Sequence, residues 1–252
     1  MTARFDPCRG RHILRDKPAS GDSHGCSPSR GTFVSVTAEI RQDLAEAHDH
    51  TWRALASTGT WWSSRERREL SETAIASVWA GPDASPHLQE GARTEAPRAA
   101  HEAVARMASG VPAVSKQWCA EVMQKLGALQ YVELVGLVAT AAAATSFRNS
   151  LGLPARELPA ATDEPPTRTS PPPLADATLN WVPVAAPADA DAAVVQALTA
   201  VPAASHDLWR LGDTQYIPDA EMVDLWWTRG TLTRVEIELV ATKVSFSREC
   251  HY

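Results

Sequence analysis

The chain has 252 residues, 44% of them hydrophobic and 21% charged, with a formal net charge of -6, a composition that allows a sizeable core in one large or two small domains. The acidic balance gives no electrostatic reason to bind nucleic acid or an anionic membrane. Four cysteines, with no CxxC pair and no zinc-ligand spacing, exclude a dense disulfide framework and favour a reducing cytoplasm, and no metal or cofactor is expected.

Residues 1–33 lack the continuous apolar run of a signal peptide and are rich in Gly, Ser, Pro and Arg, so they are expected to be a disordered leader. Cys8 with His12, and His24 with Cys26, lie there without a recognised metal-ligand spacing. From Thr37 the apolar residues recur at three- and four-residue spacing. Five helices are expected, within 37–58, 63–80, 97–108, 115–128 and 129–152, with Ser, Thr or Pro near the starts and Gly near several ends. The apolar run LVGLVATAAAAT at 134–145 lies between Glu133 and Arg148, too short and too rich in Ala to span a bilayer, and reads as a buried helix.

Nine of the eighteen prolines lie between Pro154 and Pro187, which removes backbone donors and predicts a linker or a wrapping connection at 153–188. Helical pattern resumes at 189–201, 205–213 and 231–250. The expected fold is therefore all-α, with a first helical module at 37–152 and a second at 189–252 joined by the proline-rich segment. A faint repeat fits this division: Gly59, Thr60 and Ser64, the last five residues before Glu69-Leu70, match Gly230, Thr231 and Thr233, five before Glu238-Leu239. Both look like capped helix starts carrying Glu-Leu one turn in, and capping chemistry alone accounts for the Ser or Thr.

The segment TLTRVEIELVATKVSFSREC places Cys250 twelve residues after Glu238. A capped helix carrying Glu-Leu-Val and reaching a Cys at that distance resembles the alkylhydroperoxidase D-like, or carboxymuconolactone decarboxylase, family, whose redox members carry Glu-x11-Cys-x2-Cys-x3-His. YVELVGLVATAAAATSFRNSLGLPARELP at 131–159 looks like the first module of its two-module members, and the resemblance covers roughly 37–252. It implies Glu238 and Cys250 as catalytic residues, a hydroperoxide substrate, a dithiol reductant and a homo-oligomer. The family's second Cys and its His would fall three and seven residues after Cys250, beyond Tyr252. Because the selenocysteine codon is also a stop codon, the chain is expected to end within a Cys-x-x-selenocysteine motif; a frameshift, a damaged gene or a true terminus are the other readings. The first module offers no substitute, since Gly81 and Thr145 stand twelve residues after Glu69 and Glu133.

The chemistry requires a thiolate, a proton acceptor and a second chalcogen. A helix start at Ser247 would put Cys250 among free backbone N–H groups, His251 could favour the thiolate if protonated, and a bend at 245–247 would bring Glu238 closer. Each residue also has a purely structural reading: Glu238 a solvated or salt-bridged helix residue, Cys250 an inert terminal thiol. Cys119 is read as a core residue, and His101, Trp118 and the pairs Trp61-Trp62 and Trp226-Trp227 as core before pocket lining. Two other functional classes stay open, a cofactor-free decarboxylase or lactone-processing enzyme using acid-base residues in a pocket, and a helical scaffold without catalysis.

Overall fold

A computed structural model describes residues 39–80, 93–110, 114–176, 179–187 and 192–247, all within one compact unit, Ala38–Tyr252. The expected leader lies outside the described residues, as do Cys8, His12, His24, Cys26, Cys250 and His251. The described chain is mostly helical: α1 (Gln42–Ala54), α2 (Ser64–Ala80), α3 (Arg98–Ser109), α4 (Lys116–Leu126), α5 (Ala128–Ser150), α6 (Ala193–Gln196), α7 (Pro202–Gln215) and α8 (Arg234–Ser247). Among the described residues, strand is confined to two antiparallel pairs of two-residue segments, β1 (Leu174–Ala175) with β2 (Val184–Ala185) and β3 (Thr228–Arg229) with β4 (Leu232–Thr233).

The five helices expected before Pro154 all form, and α5 is the axis against which α1 to α4 and α7 pack. Its apolar run makes it the one described helix long and apolar enough to cross a membrane, yet most of that window is buried within the protein. Leu134, Leu137, Val138, Ala141 and Ala144 join Trp52, Leu55, Trp62, Leu70 and Val104 in the main core. On the other side of α5, Val132 packs with Leu198, Val201 and Ala204. There α7 comes so close that a Cβ on Gly136 would lie 2.9 Å from the Ala204 Cβ.

Helix α1 stops at Ala54, earlier than the periodicity suggests, because side chains take up the carbonyls that a helix end leaves without partners. Ser57 Oγ donates to Arg53 O, Arg67 Nη2 to Ala54 O, Ser71 Oγ to Leu55 O and Ser64 Oγ to Ala56 O. Three of these donors, Ser64, Arg67 and Ser71, stand on α2 at i, i+3 and i+7. This buried stripe is polar because it faces a helix terminus.

The proline-rich segment wraps over the first helices. Leu158 is buried in the main core, Trp52 Nε1 donates to Glu157 O at 2.8 Å, and Thr162 N donates to Ser64 Oγ. Further along, Thr167 N and Arg168 N donate to Gly59 O and Thr60 O, both at 3.0 Å. Ion pairs Arg156–Asp49 and Arg65–Asp163 flank it. Helix α7 then returns onto α1 and α5. Arg229 donates to Asp213 O and Tyr216 O, and Arg41 to Thr214 O, so two cations close the C-terminal end of α7 where the helix dipole favours positive charge.

Helix α8 differs from the rest. It buries no residue, and nine large apolar side chains between Val223 and Phe246 are at least half exposed, Trp226 at 89%. The core reading of the second Trp pair therefore fails for Trp226, while Trp62 and His101 are buried at 4% and 3% exposure. Cys119 is buried with its Sγ 3.2 Å from the Tyr131 hydroxyl, the core position expected for it.

Candidate functional site

The first place to examine is Glu238, one turn into α8. Tyr216 Oη donates to its Oε2 at 2.7 Å and Arg234 Nε to its Oε1 at 2.8 Å. Arg234, with 11% of its side chain exposed, also donates to the carbonyls of Met222 and Asp224, so it is fixed by the preceding loop. The Tyr216 hydroxyl first, and then Arg234, hold the Glu238 carboxyl below the usual carboxylate range. Burial, followed by the Glu238 charge, pushes the Tyr216 phenol up to about 12. Glu238 is thus an oriented, ionised carboxylate with 41% of its side chain open to solvent, and the salt-bridged reading of the residue is part of the same arrangement.

The bend expected at 245–247 does not form. Helix α8 runs unbroken through Ser247, its last residue, whose Oγ donates to Lys243 O at 2.8 Å. Nine residues of helix separate Glu238 from Ser247 by about 13 Å, and three extended residues reach about 10 Å, so the two side chains can meet only if the chain reverses sharply after α8.

The repeat also resolves differently from its sequence register. Ser63, not Ser64, closes the capping box on α2: Ser63 N and Oγ both donate to Glu66 Oε2, and Glu66 N to Ser63 Oγ. Thr233 and Glu236 make the same three bonds at the start of α8. Counted from these caps, Glu69 is six residues in and Glu238 five, a one-residue offset that turns them about 100° apart around the helix. Glu69 accordingly does other work, accepting from Glu95 N and Ala96 N and lying 3.6 Å from His101 Nε2.

A second constellation was not singled out from the sequence. The turn between α1 and α2 closes on Glu133 of α5: Trp61 N donates to Glu133 Oε2 at 2.7 Å, Arg67 Nη1 donates to Oε1 at 2.6 Å, and the Thr60 N–H also faces the carboxylate. Glu133 is 1% exposed. Burial pushes its carboxyl above the usual range, against the opposing pull of Arg67 and the two backbone N–H groups. A Cβ on Gly59 would stand 1.8 Å from Glu133 Oε1, so the turn needs glycine there because of this ion pair.

The pair forms the floor of a cavity of about 420 Å³ bounded by α1, the 57–60 turn, α2, α5 and α7, with His50, Arg53, Thr58 and Asp207 on its walls. His50 Nε2 lies 3.6 Å from Asp207 Oδ1. These residues are up to 157 positions apart in the chain, and no local spacing announces them. Among the described residues no group of three or more His, Cys, Asp or Glu is placed to hold a metal ion. Comparison of the chain with protein-family models, curated proteins and solved structures gives no match.

Proposed function

We propose that the protein is a thiol- or selenol-dependent reductase of hydroperoxides in which Cys250 is a redox residue and Glu238 its proton acceptor. The observation that supports this reading is the Tyr216–Glu238–Arg234 arrangement. The carboxylate is held in one orientation and ionised, so it can accept a proton; because Tyr216 and Arg234 hold it below the usual range it is a weak base, and its contribution rests on position, on the helix that leads to Cys250. Because α8 continues to Ser247, this role requires the chain after α8 to turn back toward Glu238, and the proton then passes directly, through one bound water or through His251.

In the reaction a thiolate or selenolate attacks one peroxide oxygen. The O–O bond breaks, the alcohol leaves with a proton, and a sulfenic or selenenic acid remains. A second chalcogen three residues from Cys250 then displaces water to close the Cys-x-x-chalcogen bond, which a dithiol reductant reopens. In this reading the 37–152 and 189–252 segments descend from one repeated helical module. The matching capping boxes at Ser63 and Thr233 support that descent, and the protein works as a homo-oligomer in a reducing compartment.

The test compares two proteins with hydroperoxide and a dithiol. The 252-residue chain should consume one equivalent in oxidising Cys250 to sulfenic acid, or two where it proceeds to sulfinic acid, without turnover. A chain extended with Cys or selenocysteine three residues after Cys250, and His four further on, should turn over and lose activity on Cys250→Ser. Glu238→Gln in the extended chain should lower kcat/KM by about 100-fold, within the range of general acid-base catalysis, with an unchanged far-UV spectrum. Absence of turnover in the extended chain overturns the peroxidase reading. Equal rates with Gln at 238 overturn the role of that residue alone.

A further inference from the structure

We propose that the solvent side of α8 is a self-complementary interface at which two copies of the chain pair antiparallel. The helix meets its own protein through Arg234, Ile237, Glu238, Ala241 and Ser245, its half-buried residues, which share one face at about 100° per residue. Glu236, Leu239, Val240 and Lys243 stand on the opposite face, all exposed, and exposed Val235 and Val244 border them on either side. The inner side is fixed by polar bonds. Arg234 holds Glu238 and the carbonyls of Met222 and Asp224, Tyr216 reaches Glu238, and Arg229, its guanidinium 4.8 Å over the Trp227 ring, holds the carbonyls of Asp213 and Tyr216. A helix fastened in this way with its apolar side chains turned outward presents a patch of the kind that marks an interaction site.

Charge identifies the occupant as a second copy. Between Val235 and Ser247 the exposed charges are Glu236 and Lys243, equidistant from the midpoint between Leu239 and Val240. An antiparallel pair about that midpoint sets Glu236 against the partner's Lys243, and the two-fold symmetry of an isologous interface makes the contact twice. A parallel pair would set each charge against its own kind. Such contacts fix orientation and register, while Leu239 and Val240 meet their copies at the centre. The net charge of -6 sets an anionic membrane aside as the alternative. Glu238 lies about 150° around the helix from this face, so pairing leaves it open. The pairing rests on the reading above for the homo-oligomer alone, and on no redox step.

Sedimentation equilibrium of the 252-residue chain in reducing buffer tests the geometry by reversing its charges. Glu236→Lys and Lys243→Glu should each raise the dimer dissociation constant about tenfold or more. Mixed in equal amounts, the two variants again oppose unlike charges at every facing pair, and the mixture should return to near the parent value. The mixture also separates pairing from fraying, because Glu236 Oε2 accepts from Thr233 at the helix start and Glu236→Lys removes that cap. Cys250→Ser should pair as the parent does, whatever becomes of the peroxidase reading; loss of the dimer in that variant would trace the assembly to a disulfide instead. A monomeric parent, single variants that pair as the parent does, or variants that stay apart on mixing would overturn the interface, and a monomeric parent recovered with phosphatidylcholine vesicles would assign the surface to lipid.

Discussion

At the scale of single residues, the molecule turns on how polar groups are satisfied where burial is deepest. Glu133 and Arg67 sit at 1% and 7% exposure, a position in which ionised groups persist only when they are paired and hydrogen-bonded. The 59–62 turn supplies the bonds and Gly59 supplies the room. Gly59→Ala would force its methyl to 1.8 Å from Glu133 Oε1 and 2.8 Å from Arg67 Nη1, and either side chain could move away only by giving up the bonds that pair it. We expect a loss of about 2–3 kcal/mol, the upper part of the range for overpacking a buried site, read as a lower urea midpoint with an unchanged m-value. Full stability of Gly59→Ala would mean that the pair does not hold the turn. The sequence showed Gly59-Thr60 as a repeated phrase and Glu133 at the edge of an apolar run, but not that they meet. A buried acid in a helix takes its meaning from a partner 66 residues away, and periodicity carries no such information.

At the scale of elements, α8 is the helix whose surroundings explain least of its sequence. A helix that is apolar on more than one face is ordinarily buried, yet Val235, Leu239, Val240, Val244 and Phe246 are 56–78% exposed. The oligomer proposed above places a second copy on this surface. An antiparallel pair centred between Leu239 and Val240 sets the Glu236–Leu239–Val240–Lys243 face of one helix against its copy, with exposed Glu236 opposite exposed Lys243. Sedimentation at tens of micromolar should show a dimer that Leu239→Glu or Lys243→Glu disperses while the melting transition survives; a monomer at those concentrations would refute the pairing. Existence and type of helix were legible for α1 to α5, α7 and α8, since each carries several turns of three-and-four spacing. What escaped was set by tertiary partners: the end of α1 by Ser64, Arg67 and Ser71, the choice between linker and wrapping connection at 153–188 by Leu158 and the Gly59 and Thr60 carbonyls, and the true cap of α2 by Glu66. The straight course of α8 through Ser247 was missed for a related reason, because serine favours helix ends only when its hydroxyl is not already bonded back to the preceding turn.

At the scale of the whole molecule, the contact of α1 with α7 joins the first and last thirds of the compact unit, and its chemistry depends on pH. His48 of α1 is buried at 9% exposure, stacked on Phe147 of α5 with ring centroids 4.0 Å apart, and its Nε2 lies 3.0 Å from Gln215 Nε2 of α7. Burial first, and then the positive charge of Arg148, lower its pKa to about 4. A histidine depressed in the folded state is neutral there, while the unfolded chain takes up a proton below about 6.5. The unfolded state binds more protons in that window, so stability is complete above pH 6.5 and falls as pH drops toward 4. By this linkage the fall is about 2 kcal/mol between pH 7.5 and 5. His101, also held down by burial with Glu69 opposing, adds to it in the same direction. His48→Gln keeps a side-chain amide next to Gln215 and removes the titration. It should lower stability at pH 7.5 through the lost stacking on Phe147, yet lose about 2 kcal/mol less than the parent on going to pH 5, measured by urea unfolding at both pH values. An identical pH dependence in parent and variant would show that His48 is already free to take up its proton in the folded protein, and that the α1–α7 contact opens under conditions where the rest of the core remains closed.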